Sequence, residues 1–357
     1  MSAPSRPAIP ASPVRAPVRS VGSGAALPMT FDVRTAFDFA LSLAVEVGEQ
    51  DELAAEDKAW LAASRAAIPT WTGPEMEDDL CIFGAGLLVD RPDVTDAAGY
   101  VDLLRSTSGA EFANVVLADN LGDPEHHDDV AAALGGDPEA AKRLMECWPE
   151  HKHGWLTGLF HDPDALIRSV ADRMAAWLPA YREHEARFRT IIERDVALRA
   201  DERATLGPVE LVERTTNGIR WLSEPGVRRL VLAPSYLVRP YNFTFTGGDW
   251  RIFVYPVADA ALEPHDPLAP PQGVLRLHRA LGDPSRLRIL RLLRDRDWYL
   301  TEIAERLELS KPTIKHHLAQ LRAAGLVTLT EEGGLSYYSL RRERLDDASS
   351  ELKRYLT

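Results

Sequence analysis

The stretch Leu309-Ser-Lys-Pro-Thr-Ile-Lys-His-His-Leu-Ala-Gln-Leu-Arg-Ala-Ala-Gly-Leu-Val327 decides how this sequence is read. Ser310 offers the hydroxyl of a helix N-cap, and Pro312 falls in the first turn, where a missing N–H costs little. Ile314, Leu318 and Leu321 recur at i, i+4 and i+7 as one apolar stripe. Lys311, Thr313, Lys315, His316, His317 and Gln320 are left for the other faces, and they supply hydrogen-bond donors where such a helix enters a major groove. Gly325 stops the helix and Leu326-Val327 begins a strand. The pattern predicts a DNA-reading helix over 310–324.

The flanking sequence completes a motif. Leu300-Thr-Glu-Ile-Ala-Glu-Arg-Leu307 reads as a short amphipathic helix with Leu300, Ile303 and Leu307 inward and Thr301 as its cap. Glu308, Leu309 and Ser310 make a turn of helix-turn-helix length. Upstream, Asp283-Pro-Ser-Arg-Leu-Arg-Ile-Leu-Arg-Leu-Leu293 opens with an Asp cap and a Pro at the first helical position. Its Leu287, Ile289, Leu290, Leu292 and Leu293 cover more than one face, as in a helix buried by its own domain and by a second body. Downstream, Val327–Thr330 and Leu335–Leu340 alternate as two strands around Glu331-Glu-Gly-Gly334, which predicts a β wing. Leu345, Ala348, Leu352, Tyr355 and Leu356 line one face of a last helix suited to dimer packing.

With His278-Arg-Ala-Leu-Gly-Asp-Pro-Ser-Arg-Leu-Arg-Ile-Leu290 ahead of them, these linked motifs resemble the ArsR/SmtB winged helix-turn-helix repressors over about the last 85 residues. The resemblance implies a homodimeric, ligand-responsive transcriptional regulator on a palindromic operator, with DNA contacts from Ser310, Lys311, Thr313, Lys315 and His316. Two departures matter. Members that sense metals place a Cys pair in the helix before the recognition helix, whereas residues 301–307 hold no Cys; others use His and carboxylates on the last helix, which here offers Asp346, Asp347 and Glu351 but no His. No metal sensing is therefore expected in this module. The wing also carries Glu331-Glu332, which phosphate repels.

The chain has 357 residues, enough for two domains, and no apolar run of membrane-spanning length. Residues 1–28 are rich in Pro, Ala, Ser and Arg, hold no acid and lack a signal-peptide core; they read as a disordered tail in which Arg6, Arg15 and Arg19 are the only basic groups. Two cysteines, Cys81 and Cys147, give no disulfide framework, which fits a reducing cytoplasm. The net charge of −13 argues against DNA until it is divided. Residues 272–357 carry 16 Lys/Arg against 12 Asp/Glu, so the winged region is positive and the excess acid lies elsewhere. Affinity for nucleic acid follows the local field, because screening acts beyond roughly 10 Å. The predicted organisation is a tail over 1–28, an accessory domain over 29–260, a Pro-rich linker over 261–273 and the winged domain over 274–357.

The fold class expected is α+β and mainly helical. Helical patterns fall at 33–47, 52–68, 97–104, 111–121, 124–134 and 138–148, and one long helix or two run from Pro163 to about Leu198, with Pro179 as the break. Strand patterns follow at 229–232, 241–245 and 251–255. This order, with Leu232-Ala-Pro-Ser235 and Val254-Tyr-Pro256, is similar to a domain found ahead of ArsR-type modules in actinobacterial proteins, one that brings no activity with it.

Chemistry in this larger part is sparse. Cys147, His151, His153 and His161 are all zinc-ligand types, with Cys147 and His151 spaced for one helix face, yet a small core cysteine and histidines on a solvated turn account for them, and no metal is assigned. His126-His127-Asp128-Asp129 reads as a loop joining helices. Ser235 has no base at a fixed spacing and reads as part of a turn. Trp148, Trp155, Phe160, Trp177, Tyr181 and Phe188 wall either an apolar pocket or an ordinary core. The reading that emerges is a cytoplasmic, homodimeric, ArsR-type regulator that is not an enzyme and uses no cofactor. Its partners are double-stranded DNA, a second copy and a small-molecule effector, with no membrane involved. The alternative is a ligand-binding or enzymatic N-terminal domain whose winged helix serves regulation or protein contacts.

Overall fold

The computed structural model describes residues 27–45, 52–68, 80–121, 126–146, 153–222, 224, 226–262, 268, 270–332 and 335–357. The N-terminal region runs β1 (Met29–Phe31), α1 (Thr35–Ala40), α2 (Ala55–Ala66), α3 (Leu80–Phe83), a 3-10 turn at Gly84–Leu88, α4 (Ala97–Ser106), α5 (Gly109–Leu121), α6 (His127–Leu134), α7 (Pro138–Glu146), α8 (His153–His161), α9 (Pro163–Arg182), α10 (Glu185–Leu198), α11 (Ala200–Thr205), α12 (Pro208–Thr215), β2 (Ile219–Trp221), β3 (Arg229–Ser235), β4 (Phe243–Thr246) and β5 (Trp250–Pro256). The winged module follows as α13 (Gln272–Leu281), α14 (Pro284–Leu293), β6 (Trp298–Tyr299), α15 (Leu300–Leu307), α16 (Lys311–Ala323), β7 (Val327–Glu332), β8 (Leu335–Leu340) and α17 (Arg342–Leu356). The fold is α+β and dominated by helices. Among the described residues no helix is long and apolar enough to cross a membrane.

Local sequence explains most helix starts. The Asp96, Asp162, Asp283 and Ser310 side chains each accept the backbone N–H three residues on, at the heads of α4, α9, α14 and α16. Tertiary context resets several boundaries expected from pattern. The helix expected over 33–47 stops at Ala40, because the Ser42 hydroxyl donates back to the Phe39 carbonyl and the Ser42 N–H takes the same oxygen, tightening the chain into a three-residue turn. Pro179 lies inside α9 rather than breaking it; the break falls at Glu183-His184. Thr301 does not cap α15. The helix starts one residue earlier, and the Glu302 carboxylate accepts the Tyr299 N–H.

Among the described residues, two four-stranded sheets organise the chain. In the first, the order is β1-β3-β5-β4, with β1, β3 and β5 parallel and β4 antiparallel to β5. Its main core joins Phe37, Phe39, Tyr100, Phe112, Trp177, Tyr181 and Phe188 with Ile252 and Val254. Trp177, Tyr181 and Phe188 are therefore core residues; Trp148 lies outside the described residues, as does the side chain of Trp155. The second sheet has the order β2-β7-β8-β6. β7, β8 and β6 come from the winged module, but β2 comes from the N-terminal region and runs parallel to β7, pairing Ile219 with Leu329 and Trp221 with Glu331. The side chains Ile219 and Trp221 pack with Leu211, Val212, Leu230, Leu232, Phe253 and Tyr255. Strand β2 thus belongs to one body by its apolar contacts and to the other by its ladder.

An ion-pair group reinforces this junction. Arg276 of α13 donates to both carboxylate oxygens of Glu52 and to Asp259, while Arg239, wholly buried, donates to the Val257 carbonyl at 2.5 Å and to Asp259 at 2.6 Å. The Pro-rich segment between the regions is described only in part, since residues 263–267 and 269 lie outside the described set, as do residues 1–26 of the tail.

Candidate nucleic-acid interface

Helix α16 is built as two unlike sides. Ile314, Leu318 and Leu321 are fully buried with Leu277, Ile289, Leu293, Ile303, Leu307 and Leu326 in the core of the winged module. Burying three such side chains contributes about 1.5–3 kcal/mol each, which fixes the rotation of the helix about its axis. At its N-terminal end Ser310, Lys311, Thr313, Lys315 and His316 are all exposed. The Thr313 N–H donates to the Ser310 hydroxyl oxygen at 3.3 Å, and the two hydroxyls lie 2.7 Å apart. Glu308 turns the chain between α15 and α16 with φ +58°, in the left-handed region.

The other two residues expected to touch DNA are placed differently. His317 is half-buried, with Nδ1 4.0 Å from the Asp283 carboxylate that caps α14. Burial pushes its pKa below the ordinary histidine value; Asp283 opposes this, and Arg286 and His316 add to it. Gln320 is half-buried, and its amide donates to the Tyr241 hydroxyl of the N-terminal region at 2.9 Å. A helical wheel gives the side on which a residue lies and not what covers that side, and here Gln320 meets protein.

Two contacts that local pattern did not single out close the far end of α16. The Asn217 Nδ2 donates to the Ala323 carbonyl at 2.9 Å, and Arg341 of the strand-to-helix corner donates to the Asn217 Oδ1 at 3.3 Å. The Asn217-Gly218 pair is a turn signal visible in the sequence, but nothing local tells that this turn meets a helix more than a hundred residues later.

The buried aspartates of the N-terminal region are used internally. Asp38, fully buried, accepts from the Ser235 hydroxyl at 2.5 Å, from the Tyr236 and Leu237 N–H groups at 2.7 and 3.1 Å, and from the Tyr181 hydroxyl at 2.8 Å. Burial pushes its carboxyl up, and these four donations oppose it. Ser235 is therefore the buried end of β3 rather than part of a plain turn. Asp57 accepts from Tyr236 and Arg187, and Asp195 from Tyr255, Arg199 and the Ala258 N–H. Asp129, in the stretch 126–129, pairs with Arg143. Among the described residues no three His, Cys, Asp or Glu side chains are grouped to hold a metal ion. Cys147 and His151 lie outside the described residues, as do the side chains of His153 and His127; His161 is exposed at the end of α8.

Two helices joined by a three-residue turn, with donors exposed at the head of the second and a β hairpin behind, define a winged helix-turn-helix module. The family model for the bacterial regulatory proteins of the arsR family matches residues 283–328. The chain is 40% identical over 70 residues to the transcriptional repressor SdpR of Bacillus subtilis (strain 168), covering 20% of this chain and 78% of that protein. It is 43% identical over 80 residues to the HTH-type transcriptional regulator CmtR of Mycobacterium tuberculosis (strain ATCC 25618 / H37Rv), covering 22% of this chain and 68% of that protein. Among solved structures it is similar to HlyU from Vibrio cholerae N16961, with 31% sequence identity, coverage of 24% of this chain and 95% of that one, and a TM-score of 0.20. By its winged module the chain belongs to the arsR family of bacterial regulatory proteins.

Proposed function

We propose that this protein is a cytoplasmic transcriptional regulator that works as a homodimer and reads a palindromic operator with α16. The observation that carries the reading is the joint exposure of Ser310, Lys311, Thr313, Lys315 and His316 at the head of a helix whose opposite side is sealed into the module. Lysines there neutralise phosphate or donate to guanine, the threonine methyl meets thymine, and the Ser310 end positions the helix on the backbone. The excess of Lys/Arg over Asp/Glu in residues 272–357 supports the same surface. Leu287 of α14 and Leu345, Tyr355 and Leu356 of α17 are large apolar residues left exposed, and they support a second copy as partner. Two recognition helices held about 34 Å apart then meet successive turns of one groove.

In this reading the N-terminal region is not enzymatic. It holds a small-molecule effector or sets the dimer geometry, and its contact with α16 supports such a link. Selection on randomised DNA duplexes tests the reading: the wild type enriches a two-fold symmetric sequence, and Thr313→Ala or His316→Ala relaxes the choice at particular base pairs. Sedimentation tests the assembly: Leu352→Asp yields monomers with weakened operator binding. A wild-type monomer that binds a single half-site tightly ends the dimer claim.

A further inference from the structure

The accounting of carbonyls at the end of α16 is nearly complete within the winged module. Leu326 N–H bonds to Leu321 O and Gly325 N–H to Arg322 O, the paired closure of a helix whose next residue turns left-handed, and Gly325 has φ +73°. Ala324 N–H takes Gln320 O, and Arg344 Nε reaches Ala324 O at 3.4 Å. That leaves Ala323 O, which accepts from Asn217 Nδ2. The winged module does not supply this partner; the turn between α12 and β2 does.

That turn is built for close approach. Asn217 is itself left-handed, with φ +54°, a conformation asparagine adopts more readily than most residues. Gly218 has φ +121°, and a Cβ there would stand 2.9 Å from the Val327 carbonyl. The Gly218 carbonyl in turn accepts the Leu329 N–H at 2.8 Å, so the turn is tied to β7 immediately beyond the helix it caps. One turn of helix earlier, Gln320 is held by Tyr241. The C-terminal third of the recognition helix is thus gripped by two side chains of the N-terminal region, while at its head Ser310 and Thr313 bond to each other and Lys311 and Lys315 stand exposed.

We propose that Asn217 is a positioning residue for DNA recognition, setting the angle at which α16 leaves the module, with Tyr241 as its second point of hold. The inference rests on the reading of α16 as the DNA-contacting helix. Leverage makes the hold matter. At about 1.5 Å of rise per residue, a tilt of about 10° at the capped end moves residues 311–313 by roughly 3 Å. Hydrogen bonds to base edges tolerate a few tenths of an ångström. Non-specific attraction to phosphate is far less demanding of angle, because it depends on charge and not on register. Loss of the hold therefore lowers the preference for operator over random DNA and leaves non-specific affinity and its salt slope in place.

The test uses the full chain and the duplex enriched by the wild type. Asn217→Gly keeps the left-handed turn and removes the donor; Asn217→Asp keeps shape and the Arg341 partner but sets a carboxylate against the Ala323 carbonyl. Both are expected to lower the ratio of operator to random-sequence affinity by about tenfold, the size of one lost base contact, with Asp at least as severe as Gly. Non-specific affinity, its salt slope and the melting temperature stay near wild type. Hydrogen exchange over 320–327 rises in both variants. An Asn217→Asp protein with full selectivity, or variants whose operator and random affinities fall together with the melting temperature, overturns the positioning role and leaves Asn217 as scaffold. Lys315→Ala, on the same duplexes, isolates the underlying reading. If it weakens binding while the Asn217 variants keep their ratio, only the positioning role fails. If the wild type enriches no sequence at all, the recognition role of α16 fails and this inference with it.

Discussion

At residues 310–316 the polar side chains of the winged module stand in solvent, while in the N-terminal core Asp38, Asp57, Asp195 and Arg239 are sealed from it and each accepts or donates to protein. Residue types alone favour the second set as a chemical site, since the Asp38 carboxylate lies within hydrogen-bond distance of a serine and a tyrosine. Satisfaction of their lone pairs says the opposite. A carboxylate with four donors and no exposure has no remaining direction in which to act on a ligand, whereas Lys311 and Lys315 stand exposed at a helix head where a groove can reach them. The contrast teaches that availability, rather than chemical type, separates a pin from an interface.

The largest effect should come from the pin. Asp38→Ala takes the shared acceptor from the Ser235 hydroxyl and the Tyr236 N–H in a buried site and is expected to cost about 3–5 kcal/mol in urea unfolding. A variant that instead keeps its stability while losing a response to an added small molecule would break the contrast, because Asp38 would then belong to a ligand site. Next comes the interface. Thr313→Ala should cost about 1–3 kcal/mol on the selected operator, with little change in melting temperature; equal losses on all sequences would make Thr313 a backbone contact only. Ser310→Ala is smaller and shows in both measurements. It removes the cap of α16 and lowers stability by about 1 kcal/mol, and it weakens operator and random DNA alike. If it alters base preference, positioning and reading are not separable at this helix head.

The smallest effect concerns His317, which lies between the two behaviours. Its folded pKa is lowered mainly by burial, so the unfolded chain takes up this proton more readily than the folded one. The stabilisation associated with neutral His317 is complete above the ordinary histidine value near 6.5 and is lost as pH falls through the lower, folded value. Unfolding followed between pH 7.5 and 5 should therefore show a decline that flattens in His317→Gln. An unchanged slope would assign the decline to other groups.

Local signals made the winged module legible: the Ser310 cap, the 314/318/321 stripe, the Asp283-Pro284 start and the Gly325 stop all act within a few residues of where they are read. The N-terminal region was legible in kind, helices followed by strands, but not in its limits. Ser42 ended α1 through a bond that competes with the helix. Strand β2 has only three residues, and its partner lies past four further strands and four helices. Ser235 meets Asp38 from 197 positions away, and Gln320 meets Tyr241 across 79. No window of sequence holds both members of such a pair.

The parallel pairing of β2 with β7 also has a consequence for the order in which the protein is made. Ile219 leaves the ribosome more than a hundred residues before Leu329, its partner. At about 5–20 residues per second, the β2 edge waits on the order of ten seconds for its neighbour. Through that interval a nascent chain carries an open strand edge, the kind of surface that recruits strands from other chains. Two features limit the exposure: β2 is only three residues long, and its Ile219 and Trp221 side chains are anchored in a cluster whose members all lie at or before Tyr255. A shortened gene product that stopped before Val327 would keep that edge open for its lifetime, so expression of such fragments should favour insoluble material over folded N-terminal region.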